Sequence, residues 1–312
     1  FSGMTDPSIF DVDIFLGRQV TVDDIKEVEK KYSYPGMSEV KKNLVDLDCS
    51  SDVRLIQGDV GSTLKNKKNL QIIDLVRVAF HKHNMLEAIE TCSIIKDLGY
   101  KVSVNAMAIT NYNEKELDIL LDKVNSKSFD ILYIADSYGS LQSFELKDYI
   151  SKFDKKLTQT NIGIHLHNNM NNAYHNFLTN KDINIDKNLY IDSTIFGMGR
   201  GAGNLQTELV IFNTNNSENK INLLTEILIF IDEHLTKIYN NNIKVKWGYY
   251  IDYFLSGLLK MHPNYINKFR DIELNFKSML LLIKRICQDN KQAYFDLEYV
   301  NKLINQENGS LI

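Results

Sequence analysis

The sequence predicts an α/β protein, and within that class a (β/α)8 TIM barrel, from two patterns and one absence. Short apolar runs alternate with amphipathic helical segments at roughly 25 to 30 residues per unit, which indicates parallel strands joined by crossover helices. Polar residues fall where the strands end, and a barrel gathers its functional groups at that edge. No GxGxxG segment follows the first strand, so a doubly wound dinucleotide fold has no positive support.

The strands are short runs rich in β-branched and aromatic residues, bounded by polar or glycine-containing turns. Seven such runs are present instead of eight, so we expect the barrel to lack or alter its first strand and helix. The predicted strands, in chain order, are 9–16, 53–56, 74–80, 101–107, 130–135, 162–167 and 189–192.

The helices between these strands show apolar side chains at helical spacing together with capping residues. In the segment 85–98, Ala88, Cys92 and Ile95 share one face, and Gly99 follows as the residue that ends the helix. The predicted helices of the barrel are 21–32, 38–47, 85–98, 114–124, 144–153 and 171–178.

Beyond about residue 215 the alternation stops and the chain becomes helical. The segments 223–239 and 272–287 are amphipathic, and the aromatic stretch 247–257 between them is typical of helices that pack on a barrel or on a second subunit. We therefore predict a catalytic barrel over 1–215 and a helical extension over 216–312. We also expect this extension to join two copies of the chain into a homodimer.

Composition and charge exclude two classes of partner. The chain has 312 residues, a net charge of −4 and a pI near 6.0, so we expect no nucleic-acid surface. No apolar run reaches the ~18 residues of a membrane-spanning helix, so we expect no membrane partner. Three cysteines lie far apart without a CxxC pair, which favours a reducing compartment, and we predict a cytoplasmic protein.

The segment 163–169 contains the clearest candidate for a metal site. Side chains alternate along a strand, so His165 and His167 lie on one face, while Ile164 and Leu166 lie on the other. Neutral imidazole is the commonest metal ligand in proteins. Two solvated histidines at a strand edge are the alternative, and the pair alone does not decide between them.

Three blocks at strand ends carry a family resemblance: 134–139 (IADSYG), 163–169 (GIHLHNN) and 192–204 (DSTIFGMGRGAGN). Their order and spacing resemble the DRE-TIM metallolyases, and within that superfamily the 4-hydroxy-2-oxovalerate aldolase-like proteins. Hydroxymethylglutaryl-CoA lyase and isopropylmalate synthase are more distant relatives. The resemblance covers roughly residues 9–210.

The resemblance implies roles for particular residues. It makes His165 and His167 ligands of a divalent metal, with Asn204 as a further ligand or a close neighbour. It places Ser137 in the substrate pocket. Arg77, within a Val-Arg-Val strand, is a candidate to steady an oxyanion inside the barrel, although an interior arginine pairs as readily with a structural carboxylate. The implied metal is Mn or Mg, with Zn or Co as alternatives.

The implied activity is that of a metal-dependent carbon–carbon lyase of the aldolase type. Such an enzyme cleaves a small 4-hydroxy-2-oxo acid to pyruvate and an aldehyde, because a chelated metal stabilises the enolate that cleavage releases. Two alternatives stay open. One is a degenerate, non-catalytic barrel that serves binding or assembly, and the other is an acyl-CoA-dependent lyase or condensing enzyme, for which the sequence shows no CoA site.

The first-strand motif of the family, Asp-x-x-Leu-Arg-Asp-Gly, has no match here. The spacing between 9–16 and 53–56 suits the second and third strands of the family, which would place the first strand before residue 1. Phe15 then occupies the position of a family glutamate, and phenylalanine cannot bind a metal. Because an open sheet edge is normally covered, we expect residues 1–10, a C-terminal helix or a partner subunit beside this strand.

A second histidine pair, His81 and His83, follows the strand that contains Arg77. It is a candidate for a substrate or phosphate contact at the barrel mouth. A polar loop between a strand and a helix is the simpler explanation, and the sequence favours that interpretation.

Overall fold

The computed structural model describes residues 11–15, 46–47, 75–97, 99, 101–214, 220–241 and 247–307. Seven parallel strands form one sheet, and most of them are separated by helices. The strands are β1 (Asp11–Phe15), β2 (Asp46–Leu47), β3 (Leu75–Phe80), β4 (Lys101–Ala106), β5 (Ile131–Asp136), β6 (Asn161–Leu166) and β7 (Leu189–Ile191).

The strand order confirms the predicted fold class. From β1 through β3 to β7 each strand pairs with the next in one direction, as in a barrel, and the order reverses only at β1, which the two-residue strand β2 flanks. The short strand β2 pairs with the other side of β1, where Asp13 is in register with Asp46. The prediction that helix 38–47 extends to Leu47 is therefore wrong at its end, because these backbone groups pair with the edge of β1 instead.

The helices that follow the strands agree with most of the predicted segments. The predicted strand 53–56 and the helix 21–32 lie outside what the structure describes, and the comparison of Phe15, the last residue of β1, with a glutamate stays a prediction. The helices are α1 (Met85–Asp97), α2 (Glu114–Lys127), α3 (Ser143–Lys156), α4 (Ala173–Asn180), α5 (Thr207–Thr214), α6 (Lys220–Phe230), α7 (Thr236–Asn241), α8 (Ile251–Leu258), α9 (Asn264–Asp271), α10 (Phe276–Gln288) and α11 (Leu297–Glu307).

The two faces of the sheet have different chemistry, because alternate residues of each strand point to opposite sides. The outer face is apolar and packs against α1 to α5 in one continuous core, with Val78, Val104 and Ile164 among its fully buried members. The inner face carries polar side chains in register, such as Arg77 beside Ser103 and Asn105 beside Tyr133. The inner face of the sheet is therefore where a polar site can form.

The C-terminal helices pack on the loop that follows β7. Helices α8 to α11 bury a second apolar cluster, which includes Tyr253, Tyr265 and Phe269 and reaches Ala202 in that loop. Trp247 donates its indole N–H to the carbonyl of Phe196 at 2.8 Å. The aromatic stretch 247–257 thus serves packing on the barrel in the described structure.

The boundary predicted at residue 215 stays a prediction, although the regular elements that the structure describes between 220 and 307 are all helices. Within the described ranges, no helix combines the length and the apolar character needed to cross a lipid bilayer.

Candidate active site

Strand β6 places two histidines side by side at its carboxyl end. The imidazole rings of His165 and His167 lie 5.1 Å apart between centroids and are nearly perpendicular. Both side chains are half-buried. His167 stands one residue beyond β6 and forms an antiparallel bridge with Asn204, which draws the glycine-rich loop against the strand end. The predicted alternation along this strand therefore brings the pair together, as a metal site requires.

A buried ion pair holds His165 in position. Asp192, just after β7, accepts two hydrogen bonds from the guanidinium of Arg77, at 2.7 and 2.9 Å. The same carboxylate lies 2.8 Å from Nδ1 of His165. A carboxylate accepts a hydrogen bond from Nδ1–H, so Nε2 becomes the nitrogen that can coordinate a metal.

The charge of Asp192 is secured by its neighbours. Burial raises the pKa of this carboxyl, but the charge of Arg77 and the hydrogen bond of His165 outweigh burial and bring it down to about 2. Asp192 is therefore ionised at neutral pH. Arg77 is only 1% exposed and lies 4.2 Å from the centre of the Tyr133 ring.

His167 is held as a neutral ring. Burial lowers its pKa well below the usual value, and the nearby His165 and Arg200 lower it further, while hydrogen bonds to the carbonyls of Gly203 and Arg200 oppose this shift. An unprotonated imidazole is the form that binds a metal. At neutral pH a metal would therefore not have to displace a proton from this ring.

Asn204 presents an oxygen without a partner beside the histidines. Its Nδ2 donates to the carbonyl of Met198 at 3.1 Å, which turns Oδ1 the other way. Oδ1 is buried and has no hydrogen-bond partner among the described residues. Buried amide oxygens are normally satisfied, so an orphaned one on the residue that bridges to His167 fits a cation. His165, His167 and Asn204 thus fit a divalent metal as a three-donor set.

The glycine-rich loop can approach β6 closely because four of its residues are glycines and have no side chain. Gly203 has a φ of +88°, and its carbonyl accepts the N–H of Asn168 at 2.8 Å. A Cβ on Gly203 would overlap the carbonyl oxygen of Gly197. This contact is between two backbone segments, so neither can move aside cheaply.

Gly203→Ala is expected to lower the free energy of unfolding by more than about 3 kcal/mol, since it adds a backbone clash to the strain of a positive φ. Gly99→Ala is the matched control, because Gly99 has a φ of +94° and open space around its Cβ position. We expect the control to lose about 1 kcal/mol. Urea unfolding followed by circular dichroism measures both, and equal losses would contradict the proposed backbone clash.

Ser137 follows β5, next to the strand that carries the histidines. Its hydroxyl oxygen accepts the N–H of Ala108 at 2.7 Å, so the hydroxyl hydrogen remains available for donation. The preceding Asp136 is occupied differently, since its two oxygens accept the N–H groups of Ser140 and Leu141. Burial raises the pKa of Asp136 to about 6, but its contacts make it part of a turn.

The structure thus brings three of the five candidate residues together and gives definite contacts to the others. His167 adjoins both His165 and Asn204, and Arg77 reaches His165 through Asp192. The pairing of Arg77 with a carboxylate is the alternative that the sequence left open. Catalytic roles for Arg77 and Ser137 stay predictions.

Two important groups escaped the sequence-based assignment. Asp192 was visible as a polar residue at a strand end, but its distance of 115 residues from Arg77 concealed the ion pair. Asn169 is fully buried and joins two loops, because its Oδ1 accepts from Ala202 at 2.9 Å and its Nδ2 donates to Tyr138 at 3.1 Å. Its place directly after the histidine segment was the available signal.

The second histidine pair lies against the C-terminal part of the chain. The His81 and His83 rings stack at 5.8 Å, and both meet the ring of Tyr294 edge to face. Nδ1 of His81 is buried and has no partner among the described residues. The loop is therefore packed, and it leaves one polar atom unsatisfied.

Comparisons with known proteins agree with the fold. The HMGL-like family model matches residues 67–233. The chain is 30% identical over 137 residues to a 4-hydroxy-2-oxovalerate aldolase from Carboxydothermus hydrogenoformans, and 29% identical over 139 residues to one from Geobacillus genomosp. 3. These matches cover 44% and 45% of this chain. They span 40% of the length of each relative.

Solved structures give a similar result. The N-terminal domain of an aldolase-like protein from Bacteroides vulgatus is 28% identical, with a TM-score of 0.57 over 68% of this chain and 67% of that one. The carboxyl transferase domain of Rhizobium etli pyruvate carboxylase covers 96% of this chain and 54% of its own, with a TM-score of 0.64. At 13% identity this second match shows a shared fold alone.

Proposed function

The chain belongs to the HMGL-like family, whose model spans more than half of it, and from this we propose that it is a divalent-metal-dependent carbon–carbon lyase of the aldolase type. Its proposed reaction is the cleavage of a small 4-hydroxy-2-oxo acid to pyruvate and an aldehyde. The observation that carries the proposal is the pair His165 and His167 beside the unpartnered oxygen of Asn204.

The proposed cofactor is Mn or Mg, with Zn or Co as alternatives, held by His165, His167 and Asn204. When bound, such an ion supplies a Lewis acid that polarises the 2-oxo acid and stabilises the enolate. Two imidazoles and one amide oxygen bring no negative charge to this set, and a bound carboxylate substrate would add it. The Arg77–Asp192 pair contributes by fixing the tautomer and direction of His165.

Carbon–carbon cleavage also needs a proton to leave the 4-hydroxyl and a donor for the developing oxyanion. In the proposal Ser137 serves as that donor, because its oxygen is already occupied by the N–H of Ala108 and its hydrogen is available. The electron pair of the breaking C3–C4 bond passes to the enolate of pyruvate, which is protonated on release. The base that takes the hydroxyl proton is not assigned among the described residues.

The direct test is pyruvate release by the metal-loaded protein. We expect turnover of 4-hydroxy-2-oxovalerate with Mn or Mg, loss of turnover with a chelator, and recovery when metal is restored. A lactate dehydrogenase coupled assay detects the pyruvate. Full metal loading with no pyruvate from any of a panel of 4-hydroxy-2-oxo acids would reject the lyase proposal.

One observation favours the non-catalytic alternative as a second candidate. Within the described ranges, no group of three His, Cys, Asp or Glu side chains is arranged to hold a metal. A barrel that binds a ligand without turnover would show saturable binding of pyruvate and no cleavage in the same panel. The coupled assay and a binding titration on one preparation therefore separate the two candidates.

We also propose that the helical extension forms a homodimer, as the sequence predicts. Helix α6 buries none of its side chains, and Ile221, Leu228 and Ile229 are 67%, 55% and 50% exposed. Several large apolar side chains exposed together on one helix are typical of an interface.

The expected mass by light scattering is twice the 36.0 kDa of one chain at micromolar concentration. Leu228→Glu combined with Ile229→Glu should give the monomer mass, because each dimer would then bury four charges. Leu86→Glu on α1 is the control, since Leu86 is 62% exposed on a different face. A monomeric native protein, or a dimer that survives the double substitution, would contradict this interface.

A further inference from the structure

A second polar cluster adjoins the histidine pair, and it contains more hydrogen-bond donors than acceptors. Nη1 of Arg200, in the glycine-rich loop, lies 3.3 Å from Nε2 of His262, which stands just before α9. On the other side of the same ring, Nδ1 lies 3.2 Å from the backbone N–H of Asn264. Both neighbours of the His262 ring are therefore groups that can only donate.

The ring of His262 cannot satisfy both neighbours. Neutral imidazole has one acceptor nitrogen and one N–H, so accepting from Asn264 places the proton on Nε2, opposite the guanidinium of Arg200. The other tautomer moves the conflict to Asn264, and a protonated ring has no acceptor at all. In every protonation state at least one donor faces another donor.

The walls of the cluster carry further unsatisfied polar atoms. Nδ1 of His81 and Oη of Tyr112 are buried and have no hydrogen-bond partner among the described residues. Tyr112 is only 7% exposed, and it interacts electrostatically with Tyr294, the residue that His81 and His83 contact through their ring edges. Buried polar atoms of this kind are normally hydrogen-bonded, so two unpaired ones in the same cluster indicate a site that a ligand can fill.

The positive charge of the cluster at neutral pH is that of Arg200, because the two histidines have low pKa values and are neutral. Burial is the largest cause of the low pKa values of His81, about 4, and His262, about 3, and the charge of Arg200 lowers both further. His81 itself lowers the pKa of His262, so these three residues lie within reach of one another. The glycine-rich loop that carries Arg200 bridges to His167 through Asn204, which places the cluster beside the candidate metal ligands.

We propose that Arg200, His262 and His81 bind an anionic oxygen group, a carboxylate or a phosphate, on the part of the substrate that becomes the aldehyde. An anion between the guanidinium and the Nε2–H of His262 would accept from both and remove the donor conflict. This inference rests on the proposed lyase function and narrows it, because it predicts a substrate with an acid group at each end.

The first test compares three substrates on the metal-loaded protein. They are 4-hydroxy-2-oxovalerate, its analogue with a second carboxylate in place of the methyl group, and an analogue with a terminal phosphate ester. We expect kcat/KM to be about 10- to 100-fold higher for one of the two anionic substrates, as charged hydrogen bonds of this kind give. Equal values for all three would overturn the inference and leave the lyase function intact.

Two variants assign the preference to the cluster. Arg200→Met removes the charge from an exposed side chain, and His262→Asn keeps an acceptor for Asn264 while removing the Nε2 donor. Each should lower the ratio of kcat/KM for the anionic substrate to kcat/KM for the neutral substrate about 10-fold or more. Arg285→Met, at a position 58% exposed on α10, is the control and should change neither value.

Binding to the metal-free protein tests the site without catalysis. Titration with malonate and with inorganic phosphate should shift the imidazole signals of His81 and His262 in NMR spectra, with assignments from the His262→Asn variant. Arg200→Met should raise the dissociation constant about 10-fold. Shifts that are absent in the native chain, or unchanged in Arg200→Met, would overturn the inference even if no substrate is cleaved.

Discussion

His165→Ala is expected to abolish stoichiometric binding of divalent metal and, with it, pyruvate release. The substitution removes one of three donors, so its effect should exceed the roughly 10- to 100-fold loss of affinity that follows from changing an outer partner of a metal ligand. The fold should survive, because Arg77 and Asp192 still pair with each other when the imidazole is absent. Titration calorimetry with Mn²⁺ and metal analysis of the dialysed protein measure the effect.

His175→Ala is the matched control for this variant. His175 lies on the solvent side of α4 and is exposed, so the same change of residue type removes no metal donor. We expect native metal content, native turnover and native stability for the control. If His165→Ala also retained one metal per chain, the metal would have to bind elsewhere, and the proposed three-donor set would be wrong.

The histidine pair could be predicted from sequence because its geometry is local. Residues two apart on a strand share a face in any fold, so the side chains of His165 and His167 must lie next to each other. The surrounding strands could be predicted in the same way, since each apolar strand and each amphipathic helix has its own periodic pattern in the sequence. The prediction of Asn204 needed more than this, and it came from the family resemblance of the loop 192–204.

The contacts that organise the site were hidden because they join distant segments. Asp192 lies between Arg77 and His165 in space, but no local pattern shows which of many polar residues will meet in the interior. The opposition of Arg200 and His262 spans 62 residues and depends on how the C-terminal helices pack on the glycine-rich loop. The two-residue strand β2 is too short to leave a periodic signal at all.

Asp192→Asn is expected to reduce both stability and metal affinity, because one carboxylate serves two partners. The change leaves the guanidinium of Arg77 buried without a counter-charge, which costs about 3 to 5 kcal/mol in a buried pair. It also removes the anionic acceptor at Nδ1 of His165, for which a 10- to 100-fold weaker metal site is the ordinary consequence. Urea unfolding and Mn²⁺ titration on the same preparation measure the two effects.

The pH dependence of this variant has a definite sign. The pKa of Asp192 is lowered from 3.8 to about 2 in the folded chain. The ionised carboxylate therefore stabilises the fold fully at any pH above 3.8, and this stabilisation is lost as the pH falls from 3.8 toward about 2. Asparagine cannot titrate. The difference in unfolding free energy between the native chain and Asp192→Asn should therefore be full at pH 7 and smaller at pH 3, and a difference that grew on acidification would contradict the ion pair.

A second ion pair in the same chain separates the general cost of breaking such a pair from the specific effect on the site. Arg270 donates two hydrogen bonds of 2.7 Å to Asp252 and lies over the rings of Tyr250 and Tyr253, much as Arg77 lies over Tyr133. Arg270 is 23% exposed, so water can partly replace its partner. Asp252→Asn should therefore cost less stability and leave Mn²⁺ affinity unchanged. Equal losses of metal affinity in both variants would mean that Asp192 acts through global stability and not by orienting His165.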